Sequence, residues 1–184
     1  MNYKEVSKIV NTKINRNELV EIFRYDIDEM SVLAQVCSLS QDLMCCRFAS
    51  DFSFDGYKIF RNKDISEIVL CDKNENMNFI SSVFRREKLF INEEFEFNTK
   101  SWQALLKDLM QAKKAISIEC SFEDAIDYYV GWITKIENNI ITVRCIDGSG
   151  YIFKDEIKVN SDFISAISIN DRYTEYMAKY ARNL

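Results

Sequence analysis

The chain reads as a succession of short apolar runs of alternating character, each closed by a polar turn. Alternation with period two sends successive side chains to opposite faces, which suits half-buried strands and not helices. One helical stretch comes first, with Tyr3, Val6, Ile9 and Val10 at helical spacing, and it stops near Asn15 to Asn17. Five runs then follow. Leu19 to Phe23 is separated by an acidic turn (Asp26, Asp28, Glu29) from Val32 to Leu39, and the polar turn Ser40 to Asp42 leads into LMCCRFA. An Asp/Gly turn at Asp55 and Gly56 precedes YKIF, and Arg61 to Lys63 precedes DISEIVL. The pattern predicts strands near 18–25, 29–39, 42–50, 55–61 and 65–70.

The second half repeats that order. A helix at 100–112 gathers Trp102, Leu105, Leu106 and Leu109 on one face, with Thr99 or Ser101 placed to cap it. AISIEC, an acidic turn (Glu123, Asp124, Asp127), YYVGWITKI, the turn Glu137 to Asn139 and IITVRCI come next. DGSG, YIFKDEIKV and DFISAISI complete the set. VLAQVCSLSQDLMCCRFA and YVGWITKIENNIITVRCI align without a gap at an offset of 97, so that Val36 meets Ile133, Cys46 meets Val143 and Arg47 meets Arg144. Each half ends in a helical stretch, carrying Met77, Ile80, Val83 and Phe84 or Tyr173, Tyr176, Met177 and Tyr180. Agreement in order and parity points to a duplication.

Five short strands with flanking helices suit a small closed barrel, because closure removes the unpaired edges of a lone sheet. The expected fold is therefore mainly β with flanking helices (α+β): two tandem five-stranded barrels packed as one body. Residues 1–89 hold the first helix, the first barrel and its following helix; 90–113 hold a connector strand and helix; 114–184 hold the second barrel and last helix. On GWITKIENNIITVRCIDGSGYI followed by DFISAISINDRY, each unit resembles an Sm-like or SH3-like small barrel, and the whole is similar to bacterial proteins carrying that barrel in tandem. The resemblance covers most of 18–87 and 114–182. Sm proteins bind RNA through an Asn-bearing turn between strands two and three and an Arg-Gly turn between strands four and five. Here those turns are Ser40-Gln41-Asp42 with Arg61-Asn62-Lys63, and Glu137-Asn138-Asn139 with Val159-Asn160-Ser161. Neither carries Arg-Gly, so the resemblance extends to the fold and not to the RNA site.

A net charge of −5 and a pI near 5.0 argue against broad binding to phosphate backbones and favour a basic or neutral partner. No apolar stretch of signal-peptide or membrane-spanning length is present, so the expected location is the cytoplasm, without membrane insertion. In that setting Cys37, Cys45, Cys46, Cys71, Cys120 and Cys145 read as thiols. Their spacing and the absence of histidine suit no zinc site, and no cofactor is implied.

Lack of histidine also removes the usual general base, and no nucleophile elbow, P-loop or dinucleotide fingerprint occurs. The expected function is thus a non-enzymatic protein-interaction module. Alternatives are an immunity or antitoxin-type protein masking a basic toxin, and an Sm-like RNA-binding protein. Candidate partner-binding residues are Asp26, Asp28 and Glu29 with Glu123, Asp124 and Asp127, because paired acidic turns suit a basic surface. Arg47 and Arg144 join them as matched third-strand arginines, a residue type enriched at binding hot spots. Solvated turns and outward strand positions explain the same residues without a partner.

Overall fold

The computed structural model describes residues 3–13, 17–90, 95–122 and 125–183. Helix α1 (Tyr3–Lys13) precedes β1 (Val20–Arg24), β2 (Asp28–Leu39), β3 (Leu43–Ser50), β4 (Ser53–Arg61) and β5 (Glu67–Leu70), and α2 (Glu75–Arg86) follows. Helix α3 (Trp102–Gln111) then leads into β6 (Ala115–Ser121), β7 (Ile126–Glu137), β8 (Ile140–Ile146), β9 (Tyr151–Ile152), β10 (Ile157–Asn160) and β11 (Ile164–Ile169). Helix α4 (Arg172–Tyr180) and the short β12 (Arg182–Asn183) end the chain. The fold is mainly β, as the alternation predicts. No described helix is long and apolar enough to cross a membrane.

Two separate closed barrels are not what the strands form. Among the described residues they make one open sheet in the order β12-β9-β8-β7-β6-β11-β4-β3-β2-β1-β5, with β10 on β8. The reason lies at β4. Strand β5 pairs with β1, Val20 opposite Leu70, but the edge of β4 that would close the first half belongs to β11, with Phe60 opposite Ala166 and Tyr57 opposite Ile169. Because β11 also pairs with β6, a strand of the second half lies between the two halves and carries the ladder across them.

Correspondence between the halves extends to an irregularity. Val36 pairs with Cys46 and Ser38 with Cys45, leaving Cys37 in a bulge; Ile133 pairs with Val143 and Lys135 with Thr142, leaving Thr134 in another. All of these positions are displaced by the same 97 residues. A bulge bends and twists its strand locally, so both long strands curve at the same point.

Two glycines are there for close approach. A Cβ at Gly131 would lie 2.0 Å from the Arg144 carbonyl oxygen. Gly56 has φ +74°, and its Cβ would meet the Asp171 backbone nitrogen at 2.4 Å. The turn expected at Asp55 and Gly56 is in fact at Asp51 and Phe52, with φ 52° at Asp51; Gly56 lies inside β4, where it admits the end of β11.

The largest core lies under α3, where Trp102, Leu105 and Leu106 meet Ile116, Ile133 and Ile141 together with Leu43, Cys45 and Ile59 of the first half. A second surrounds Val20, Ile22, Met44 and Phe60, with Val6 of α1 and Ala166 of β11. Each fully buried aliphatic or aromatic side chain contributes about 1.5–3 kcal/mol, so both cores hold the halves together. A third, small cluster joins Leu19, Ala49 and Cys71 to Phe84 of α2. Ser101 caps α3, its Oγ accepting from the Ala104 nitrogen at 3.2 Å.

The last helical stretch is present as α4, with Tyr173, Tyr176 and Tyr180 exposed, Thr174 buried and Met177 half-buried; the helix rests on β6 and β7 by its less aromatic face. Two further expectations are corrected. Residues 95–100 are bends and coil rather than a connector strand, because Asn98 and Asp108 side chains accept from the Lys100 and Asn98 nitrogens and turn the chain; 91–94 lie outside the described residues. Phe95 and Phe97 still pack on the α3 core, Phe95 lying 5.0 Å from Tyr57. Finally, the run Tyr151 to Val159 divides into β9 and β10 around the exposed Phe153, Lys154, Asp155 and Glu156.

Candidate functional site

The acidic turn between β1 and β2 presents Asp26 and Glu29 to solvent, and neither has a hydrogen bond or ion pair with the described residues. Asp28 is half-buried and accepts from the Met30 nitrogen at 2.9 Å, which fixes the turn. Apolar side chains flank it: Met30 is 76% exposed and Tyr25 is also exposed, its hydroxyl donating to Glu67 at 2.8 Å. In the second acidic turn, Glu123 and Asp124 lie outside the described residues. Asp127 is exposed and accepts from the Tyr129 hydroxyl at 3.2 Å. Beside it Tyr128 projects outward, its phenol pushed above the ordinary value first by burial, then by the charges of Glu119 and Asp28. Arg24 is opposite Asp28 across β1 and β2, Glu119 is opposite Tyr128 across β6 and β7, and Arg24 reaches Glu119 at 2.7 Å, which brings the start of β2 near the start of β7.

Arg47 and Arg144 hold matching register positions in unlike surroundings. Arg47 is half-buried, with its guanidinium 4.3 Å from the Phe54 ring centroid and 5.9 Å from that of Tyr57. That stacking is internal packing. Arg144 is exposed, donates to Asn183 Oδ1 at 3.4 Å and lines an open cavity of about 550 Å³ with Lys154 and Glu156.

The turns that the Sm resemblance singles out do come together. Asn62 donates through Nδ2 to the Ser40 and Gln41 carbonyls at 2.8 and 3.0 Å, and its backbone nitrogen reaches the Asp42 carbonyl at 2.8 Å. In the second half the Ser161 nitrogen reaches the Asn139 carbonyl at 2.7 Å in the same way. Arg61 donates through Nε to the Ile164 carbonyl at 2.8 Å and through a terminal nitrogen to the Ser161 carbonyl. Its guanidinium therefore ties the first half to the second.

One charged cluster was not foreseen. Arg24, 1% exposed, donates to Glu119 Oε1 at 2.7 Å, and Glu119 is only 3% exposed. Lys58 Nζ stands 3.3 Å from Glu119 Oε2, and the Ser165 hydroxyl donates to Oε1 at 2.6 Å. Burial alone would raise the Glu119 carboxyl, but the Arg24 hydrogen bond, the charges of Lys58 and Arg24 and the Ser165 hydroxyl together bring it down to about 2. Four strands meet in it: β1, β4, β6 and β11. A carboxylate within AISIEC was the available signal, a charge in a strand whose other residues are mostly apolar.

The five buried cysteines are poor nucleophiles. Burial pushes the Cys45 and Cys46 thiols well up, those of Cys71 and Cys120 to about 12 and that of Cys145 to about 11, leaving almost no thiolate at neutral pH. The chain matches no family model, no curated protein and no solved structure.

Proposed function

We propose that this protein is a non-catalytic interaction protein made of two related halves, which docks a basic partner protein where the β1–β2 turn and the start of β7 approach one another. The observation that carries the reading is the pairing of exposed carboxylates with exposed aromatic and apolar side chains: Asp26 and Glu29 beside Tyr25 and Met30, and Asp127, which among the described residues accepts only from the Tyr129 hydroxyl, beside Tyr128. Apolar contact supplies affinity, and like-signed rim charges steer a basic surface towards it. The net charge of −5 acts in the same sense at longer range.

Support for two units comes from the shared offset of the strand registers and from the bulges at Cys37 and Thr134. On this reading β11 is the fifth strand of the second unit and lies against the fourth strand of the first. A toxin-masking role is one form of the proposal, since it needs an acidic surface and no catalytic group. RNA binding draws little support from Arg61 and Asn62, whose side-chain donors are engaged by backbone carbonyls.

The test is capture from the native host on immobilised wild type and on a variant carrying Asp26→Asn, Glu29→Gln and Asp127→Asn. A specific protein should be retained by wild type at low salt and lost by the variant. Equal retention on both would remove the acidic end as the docking surface.

A further inference from the structure

The pairing of β4 with β11 joins the two halves, and the internal repeat leaves a second copy of that junction unmade in every chain. The counterpart of β4 in the second half is β10: Ile157 to Asn160 lie opposite Val143 to Ile140 as Lys58 to Arg61 lie opposite Cys46 to Leu43. The counterpart of β11 in the first half is β5, since Ile68 lies opposite Ile22 of β1 as Ile167 lies opposite Ile118 of β6. Among the described residues β5 pairs with β1 alone and β10 with β8 alone. The two free edges are therefore the two sides of the existing junction, and the occupant that fits each is the other edge on a second copy of the chain.

The register of the existing junction fixes which residues would meet. Ala166 opposite Phe60 becomes Glu67 opposite Val159, and Ile167 opposite Ile59 becomes Ile68 opposite Lys158. Within the chain all four positions are apolar and no more than 1% exposed, Ala166 and Phe60 in one core and Ile167 and Ile59 in the other. On the free edges Glu67 stands at the place of Ala166 and Lys158 at the place of Ile59, and both are exposed. Successive positions on a strand point to opposite faces, so Glu67 and Lys158 would not reach one another across the ladder. Each would instead be enclosed beside a buried apolar residue, Val159 or Ile68. Charges that would turn inward on pairing are a means of protecting a sheet edge, and one enclosed without a partner weakens association by at least about a hundredfold.

We propose that the edges of β5 and β10 form a latent head-to-tail junction for a second copy of this chain, held shut by Glu67 and Lys158. Each junction would take one charge from each copy, so removing either residue alone leaves the other in place. The inference goes beyond the acidic-end reading and does not depend on it.

Glu67→Ala and Lys158→Ile install at these exposed positions the residues that Ala166 and Ile59 supply inside the chain. In sedimentation velocity, wild type and each single variant should run as one chain of 21.7 kDa. An equimolar mixture of the two variants should form a one-to-one complex and grow no further, because β5 of the first with β10 of the second is the one junction from which both charges are gone. The double variant should add copies with rising concentration, as a heterologous contact does. Val69→Cys in the first variant and Ile157→Cys in the second face one another in the repeated register, as Ser168 faces Lys58, and should form a disulfide between chains in the mixture. A mixture of folded variants that stays as single chains, a single variant that assembles as far as the mixture does, or the same disulfide formed equally well between otherwise wild-type chains would each overturn the proposal.

Discussion

Arg24 and Glu119 stand 95 positions apart in the chain and meet at 2.7 Å in a place where neither side chain is more than 3% exposed. Such a pair is weak evidence of net stabilisation, since desolvating two charges offsets much of their attraction. Breaking it from one side is another matter. Glu119→Ala strands Arg24 and Lys58 beside the Phe60 ring, and a loss of about 3–5 kcal/mol is expected in urea denaturation. The double variant Arg24→Met with Glu119→Leu should recover most of it; a double variant as unstable as Glu119→Ala would show that the cluster does more than balance charge.

The same carboxylate makes stability depend on acidity. Glu119 is held at about 2 in the folded protein, below its ordinary 4.5, so its contribution is fully present above about pH 4.5 and is lost as pH falls towards 2. That contribution is on the order of 3 kcal/mol. Glu119→Gln should flatten this acid limb in urea midpoints measured from pH 6 to pH 2, and an unchanged slope would contradict the assignment.

Gly56→Ala should destabilise the chain by more than about 1 kcal/mol, since a positive φ penalises any side chain and the added Cβ meets the Asp171 nitrogen at 2.4 Å. Thermal unfolding is the measurement. Gly148→Ala is the control, because nothing lies within 4 Å of a Cβ there and its φ is not in the left-handed region.

Thiol labelling with a small disulfide reagent under native conditions should reach Cys37 ahead of the other five. Cys37 is half-buried, whereas Cys45, Cys46, Cys71, Cys120 and Cys145 are buried. Mass spectrometry of the first labelled species decides it; early modification of Cys45 would show that the α3 core opens readily, and of Cys46 that the core around Val20 and Phe60 does.

Neutralising Asp26, Glu29 and Asp127 should leave the fold intact and slow association with a captured basic partner, with most of the salt dependence of the on-rate lost. Stopped-flow association at low and high salt reads this directly. An unchanged rate at low salt would return these turns to ordinary solvated loops.

Strand positions were legible because most strands bury one face more than the other. The edges of β1 to β4 fall within two residues of the alternation, and the apolar face of α3 was visible from Trp102, Leu105, Leu106 and Leu109. Strand partnership was not legible. Nothing in the sequence of β4 distinguishes a neighbour at 67–70 from one at 164–169, since both are short, apolar and antiparallel to their partners. For a related reason the sequence showed the α4 helix but not which of its faces is covered, since only the packed sheet decides that. Among the candidate site residues, Asp26, Glu29 and Asp127 are exposed, while Arg47 is half-buried with its guanidinium over the Phe54 ring.

The pairing of β4 with β11 also has a consequence for synthesis. Phe60 and its partner Ala166 are more than a hundred residues apart, and so the first half leaves the ribosome with a hydrogen-bonding edge uncovered until β11 has been made. Non-local pairing of this kind folds slowly and exposes a strand edge to other nascent chains. Residues around Tyr57 to Phe60 are thus the segment that a chaperone has most reason to hold.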